Sequence, residues 1–108
     1  MKVTILLSTY NGEQFLAEQI KSIQEQTYRD WQLLIRDDGS TDGTRAVIED
    51  FCRKDDRIAF INRENPQNLG VIQSFHSLLQ YQDSDFYLFS DQDDVWLPDK
   101  LALQLAEA

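Results

Sequence analysis

Four short apolar runs, each followed by turn chemistry or residues at helical spacing, constrain this chain more than any other feature. They are Val3-Thr-Ile-Leu-Leu7, Trp31-Gln-Leu-Leu-Ile35, Ile58-Ala-Phe-Ile61 and Phe86-Tyr-Leu-Phe89. Each is too short for a core helix and is rich in β-branched or aromatic residues. Such near-continuous runs are typical of strands buried on both faces, as in parallel sheets. Between them the period changes. Leu16, Ile20 and Ile23 predict a helix from about Glu13 to Gln26, and Val47, Ile48, Phe51 and Cys52 form the inner face of a second. Ile72, Phe75 and Leu79 mark a third, and the residues after Pro98 a fourth, with Pro98 suited to its first turn.

Regular alternation of strand and helix predicts an α/β fold, a Rossmann-like parallel sheet flanked by helices. The nucleotide-binding half-fold has strand order 3-2-1-4, and ligands in such sheets bind beyond the carboxyl ends of the strands where the order reverses. Here that reversal lies between the first and fourth strands. The first ends in Ser8-Thr-Tyr-Asn11, its neighbour in Asp37-Asp38, and the fourth in Asp91-Gln-Asp-Asp94. Three polar clusters are therefore expected to meet in one crevice.

Asp91, Asp93 and Asp94 place three carboxylates within four residues, with Lys100 the nearby base. One lysine does not balance three carboxylates, whereas a divalent cation does, and hard oxygen donors suit Mg2+ or Mn2+. If the segment stays extended, Asp91 and Asp93 face the same way and address one ion together. The alternative is a solvated acidic turn that caps the next helix.

The other clusters allow two readings each. Tyr10 can stack on a nucleobase or pack against the first helix. Asn11-Gly12 can touch a ligand or simply turn the chain. Asp38 can accept the N–H on the pairing edge of uracil or thymine, or join a capping network with Ser40 and Thr41. Gly70, in Asn68-Leu-Gly70, can admit a phosphate or sugar close to the backbone, or serve the helix start. Gly39 and Gly43 read as conformational, His76 and Cys52 as structural, and Asp55, Asp56, Asp83 and Asp85 as solvated turn charges.

The 108 residues suffice for one domain with a real core, and the formal charge of −9 argues against a nucleic-acid partner. A single cysteine leaves no intramolecular disulfide or cysteine-rich zinc site. Val3–Leu7 is too short to span a membrane or form a signal core. Residues 101–108 end within a helical pattern, so a fragment of a longer protein is expected. Trp96, Leu101, Leu103 and Leu105, if left uncovered, would then favour self-association.

Val3-Thr-Ile-Leu-Leu-Ser-Thr-Tyr-Asn-Gly12, Asp37-Asp-Gly-Ser-Thr-Asp-Gly-Thr44 and Asp91-Gln-Asp-Asp-Val-Trp96 together resemble the N-terminal half of family-two inverting glycosyltransferases of the GT-A fold. The resemblance covers essentially the whole chain. With Asn68-Leu-Gly-Val71 it looks most like the bacterial rhamnosyltransferase-like branch that builds surface polysaccharides. It implies a donor site for a UDP- or dTDP-sugar comprising Ser8, Thr9, Tyr10, Asn11, Asp38, Gly70, Asp91 and Gln92. Ser8 and Tyr10 would lie around the base, Asp38 on its pairing edge and Asp91 by the ribose or sugar. Asp93 would bind Mn2+ or Mg2+ directly, with Asp91 beside it. It also implies a saccharide or lipid-linked acceptor, a cytoplasmic location, peripheral to the inner membrane face in a longer protein, and a general base beyond Ala108. The chain alone is then expected to bind donor and metal without transferring sugar. Many relatives carry a basic residue after the Asn-x-Gly segment. Here Val71, Ile72 and Gln73 follow.

Phe86-Tyr-Leu-Phe-Ser-Asp91-Gln-Asp93 also resembles the first motif of haloacid-dehalogenase-like phosphatases, which would make Asp91 a nucleophile. That motif usually opens its domain, whereas here it lies on the fourth strand. A nucleotidyltransferase is disfavoured by the lack of a Gly-rich basic loop after the first strand. A non-catalytic nucleotide-binding module is the third alternative.

Overall fold

The structure, a computed structural model, describes residues 2–65, 67–92 and 94–107. Its elements follow the order β1 (Val3–Thr9), α1 (Glu13–Gln24), β2 (Gln32–Asp37), α2 (Thr44–Lys54), β3 (Ile58–Phe60), α3 (Val71–Tyr81), β4 (Phe86–Ser90) and α4 (Lys100–Ala106). The strands form one sheet in the order β3-β2-β1-β4, and every pairing is parallel. The expected α/β architecture and strand order are both present.

Apolar runs became strands because helices cover both faces of the sheet. Side chains alternate across a strand. Val3, Ile5 and Leu7 of β1, with Leu33 and Ile35 of β2, meet Leu16, Ile20 and Ile23 of α1, Ile48 of α2 and Leu101 of α4. Leu6 and Leu34 point the other way, onto Leu78 and Phe75 of α3. Fully burying each such side chain contributes about 1.5–3 kcal/mol.

The element ends differ from the sequence expectation in informative ways. Strand β1 runs on to Thr9 and β2 to Asp37 because polar side chains there find buried partners. Helix α1 ends at Gln24, and Gln26 serves as a clamp instead. Its Nε2 donates to the Leu97 carbonyl at 2.7 Å, and its Oε1 accepts the Leu101 N–H at 2.9 Å. The Thr27 N–H donates to the Pro98 carbonyl at 3.0 Å. Pro98 thus lies outside α4, one residue before the Asp99 cap, rather than in its first turn.

The same clamp corrects the expectation of an uncovered C-terminal apolar surface. Trp96 is 4% exposed and Leu101 fully buried, because α1 and the sheet cover them. Leu105 packs partly against the same core, while Leu97 and Leu103 are exposed. Asp55 is not a solvated turn charge either. It pairs with Arg57 at 2.9 Å, and that guanidinium holds its carboxyl down at about 2.

Candidate functional site

The carboxyl ends of β1, β2 and β4 meet, as the strand order requires, and side chains tie them together. Thr9 Oγ1 donates to Asp37 Oδ1 at 2.8 Å, directly across the β1–β2 register. The Asn11 N–H donates to Ser40 Oγ at 2.8 Å, while its Oδ1 accepts the Thr41 N–H at 2.8 Å. Asn11 holds φ 47°, a left-handed conformation that asparagine tolerates better than most residues. The Gly12 N–H donates to Thr44 Oγ1 at 2.9 Å, closing the 9–12 segment onto the start of α2. On the other side, the Tyr10 N–H donates to Gln92 Oε1 at 2.6 Å and joins β1 to the segment after β4.

Asp37 and Asp38 are neighbours in sequence but face opposite sides of the sheet, through the two-residue period of a strand. Asp37, fully buried, accepts the Ser40 N–H at 2.9 Å and the Ser40 hydroxyl at 2.6 Å, with Arg45 of α2 at 3.6 Å. The capping network anticipated for Asp38 with Ser40 and Thr41 is therefore built on Asp37 and Asn11. Asp38 points toward α3. Its Oδ1 pairs with Arg36 at 2.9 Å and accepts the Leu69 N–H at 2.7 Å, and its Oδ2 accepts the Gly70 N–H at 3.0 Å.

Gly70 stands at the N-terminus of α3 with φ 86° and ψ 159°, a region essentially closed to other residues. A Cβ there would meet nothing within 4 Å, so the backbone rather than crowding calls for glycine. Gly43 is the reverse case. Its φ of −81° is ordinary, and a Cβ would collide with the Glu13 carboxylate that accepts its N–H. The conformational reading of Gly43 is thereby corrected to one of close approach.

Ser8 is buried and donates to Ser74 Oγ of α3 at 2.6 Å, so its hydroxyl is engaged within the chain. Tyr10 is 48% exposed, which removes the core-packing alternative and leaves a ring presented at the strand end. His76 is exposed on α3. Burial pushes the Cys52 thiol up.

Beyond β4 the chain does not remain extended. Gln92 lies in a turn, and the Asp94 N–H donates to the Asp91 carbonyl at 3.1 Å. The expectation that Asp91 and Asp93 address one ion together involves Asp93, which lies outside the described residues. The Asp91 carboxylate is exposed, and no described residue donates to it. Among the described residues no three histidine, cysteine or acidic side chains form a metal-holding group. The donor chemistry still fits a hard divalent cation, which commonly takes one or two carboxylates and completes its shell with water and substrate phosphate.

Four participants escaped sequence reading. Arg36 is buried mid-sheet beside Asp38, and Ser74 joins it to Ser8. Gln19 Nε2 donates to Ser90 Oγ at 2.9 Å and to the Asp91 carbonyl, fixing the end of β4 to α1. Gln26 holds the segment that follows. All four occupy positions that pattern reading assigns to core or helix surface. Only a polar residue within an apolar stripe hinted at them.

The "Glycosyl transferase family 2" model matches residues 4–108. The Escherichia coli UDP-Glc:alpha-D-GlcNAc-diphosphoundecaprenol beta-1,3-glucosyltransferase WfgD is 35% identical over 104 residues, spanning 96% of this chain and 40% of WfgD. The Shigella flexneri dTDP-rhamnosyl transferase RfbG is 38% identical over 98 residues, spanning 88% of this chain and 34% of RfbG. Among solved structures, S. aureus TarS 1-349 in complex with UDP superposes with a TM-score of 0.81 at 25% identity, covering 98% of this chain and 31% of that one. The chain thus spans well under half the length of these relatives. A family model matched across nearly every residue, on a fold that superposes on TarS 1-349 along 98% of its length, leads to one conclusion: the chain belongs to glycosyl transferase family 2.

Proposed function

We propose that this chain is the donor-binding part of a glycosyltransferase that uses a UDP- or dTDP-sugar and passes the sugar, with inversion, to a saccharide or lipid-linked acceptor. The observation that carries this reading is the meeting of Tyr10, Asp38 and Asp91 at three strand ends joined by hydrogen bonds. WfgD is named for UDP-Glc and a diphosphoundecaprenol acceptor, RfbG for dTDP-rhamnose chemistry, and TarS was solved with UDP. These names support the donor class and a lipid-linked acceptor, and a place in polysaccharide assembly at the cytoplasmic membrane face belongs to the same proposal. The phosphatase alternative finds no support among them.

In this reading the exposed Tyr10 ring stacks on the base, a contact worth about 1–3 kcal/mol. Asp38 accepts the ring N–H through Oδ2, which takes one described hydrogen bond where a carboxylate oxygen can take two. Ser8, Thr9 and Asn11 act by holding the crevice in shape, and Gly70 lets the 67–70 segment approach the base. Gln92 holds the Tyr10 backbone. Asp91 and Asp93 are the residues that would hold Mn2+ or Mg2+. Such a cation would neutralise charge developing on the departing nucleoside diphosphate. The base that deprotonates the acceptor is assigned outside residues 1–108. Self-association through the exposed Leu97 and Leu103 belongs to the same proposal, and sedimentation velocity tests it.

Titration calorimetry with uridine diphosphate, with and without Mn2+, tests the core of the reading. Binding should depend on the metal in the unaltered chain and lose that dependence in Asp93→Ala. Equal binding by the two would remove the metal role.

A further inference from the structure

Arg36 is the least expected residue of the sheet. It sits in β2 between helix-covered faces and is 4% exposed, where its apolar neighbours on the same side are Leu34 and Leu6. Burying a guanidinium is costly unless its charge is paired and its donors find acceptors. Here Nη1 donates to Asp38 Oδ1 at 2.9 Å and to Ser74 Oγ at 3.1 Å, and Nη2 to the Gln67 carbonyl at 2.8 Å. Ser8 reaches the same Ser74 hydroxyl, so one buried chain of polar side chains links β1, α3, β2 and the 67–70 segment. That segment is gripped a second time, because Leu69 and Gly70 donate to the Asp38 carboxylate and Asn68 Nδ2 to the Asp38 carbonyl.

Stability alone explains this poorly. Replacing a buried ion pair as a whole by well-packed apolar residues is often neutral or favourable, so apolar residues at positions 36 and 38 together would serve the core as well. What the guanidinium supplies instead is orientation. With Oδ1 held by Arg36 and Leu69, and Oδ2 by Gly70, the Asp38 carboxylate does not turn, and no second donor among the described residues reaches Oδ2.

We propose that Arg36 is a positioning residue for base recognition: it fixes the Asp38 carboxylate and the 67–70 segment so that only a ring edge carrying an N–H is accepted. This rests on the base-reading role of Asp38 proposed above. Uracil and thymine present an N–H at ring position 3, whereas cytosine presents a lone pair there. A pinned carboxylate repels that lone pair. A carboxylate free to swing away does not.

The experiment measures dissociation constants for uridine and cytidine diphosphate by calorimetry, alongside amide hydrogen exchange of the ligand-free chain. The unaltered chain should prefer uridine diphosphate. Arg36→Met should reduce the preference about tenfold, the scale of one charge-assisted hydrogen bond, and Arg36→Lys, which keeps the charge but not the fork, should restore part of it. Exchange at Leu69 and Gly70 should quicken in Arg36→Met while Leu6 and Leu34 in the sheet stay protected. If Arg36→Met does not fold, Ser74→Ala removes one Arg36 partner and should shift both readouts the same way by less. Asp38→Asn separates this proposal from the one beneath it. An amide donor there should favour cytidine diphosphate, and an unchanged ratio would refute base reading itself. A ratio moved by Asp38→Asn but not by Arg36→Met or Ser74→Ala would overturn the role of Arg36 and leave base reading standing. Unchanged exchange at Leu69 and Gly70 would overturn it regardless of nucleotide binding.

Discussion

The crevice has two acidic walls, and they are built on opposite principles. At the end of β2, Asp37 and Asp38 are buried, and donors from the same chain meet each of their carboxylates. At the end of β4, Asp91 is exposed and no described residue donates to its carboxylate, although its backbone is held by Gln19 and Asp94. The first wall uses carboxylates as internal fasteners, with Arg36 and Arg45 supplying the compensating charge. The second holds its backbone with neutral groups and leaves the charge outward. Cations of the same chain thus reach Asp37 and Asp38, whereas among the described residues none pairs with Asp91.

The largest effect is expected at Asp37. Asp37→Ala should destabilise the chain by about 3–5 kcal/mol, the cost of leaving Arg45 and the Ser40 turn without their buried partner. Urea unfolding checks it, and a loss under 1 kcal/mol would show that the β2 wall is less dependent on its carboxylate than the hydrogen bonds imply.

Gly70→Ala is the next largest effect expected. With φ at 86° and open space around the position, the penalty comes from the backbone alone, about 1–3 kcal/mol. Restoring glycine's freedom with D-alanine by chemical synthesis should return most of the stability.

Asp55 tests whether an acid far from the crevice behaves like the β2 wall. Its carboxyl is lowered from 3.8 to about 2, chiefly by hydrogen bonding to Arg57. Because the folded value lies below the unfolded one, its contribution is complete above about pH 4 and disappears as pH falls toward 2. Asp55→Asn should cost about 1 kcal/mol at pH 7 after solvent screening, and much less near pH 2. Thermal unfolding across pH 2–7 reads the convergence of the two curves.

The smallest change in stability is predicted where the proposed ligand role is greatest. Asp91→Ala should leave unfolding within about 0.5 kcal/mol of the unaltered chain, since no described partner is lost. The same variant should weaken Mn2+-dependent binding of uridine diphosphate. A large loss of stability would place Asp91 with the fasteners of β2 and erase the distinction between the walls.

Much of this was legible in the residues alone. Apolar runs of strand length, alternating with helical spacing, determined the α/β layers, because only burial on both faces tolerates such runs. The strand order followed from that alternation through the nucleotide-binding half-fold, and with it the meeting of Tyr10, Asp38 and Asp91 at one edge. Periodicity did not reveal which polar groups would be consumed inside the chain. That Asp37 rather than Asp38 holds Ser40, that Arg36 enters the sheet to grip Asp38, and that Gln26 and α1 cover Trp96 and Leu101 all depend on contacts between residues distant in sequence. A buried polar side chain is stable only where its partners arrive, and the arrival of partners is decided by tertiary structure.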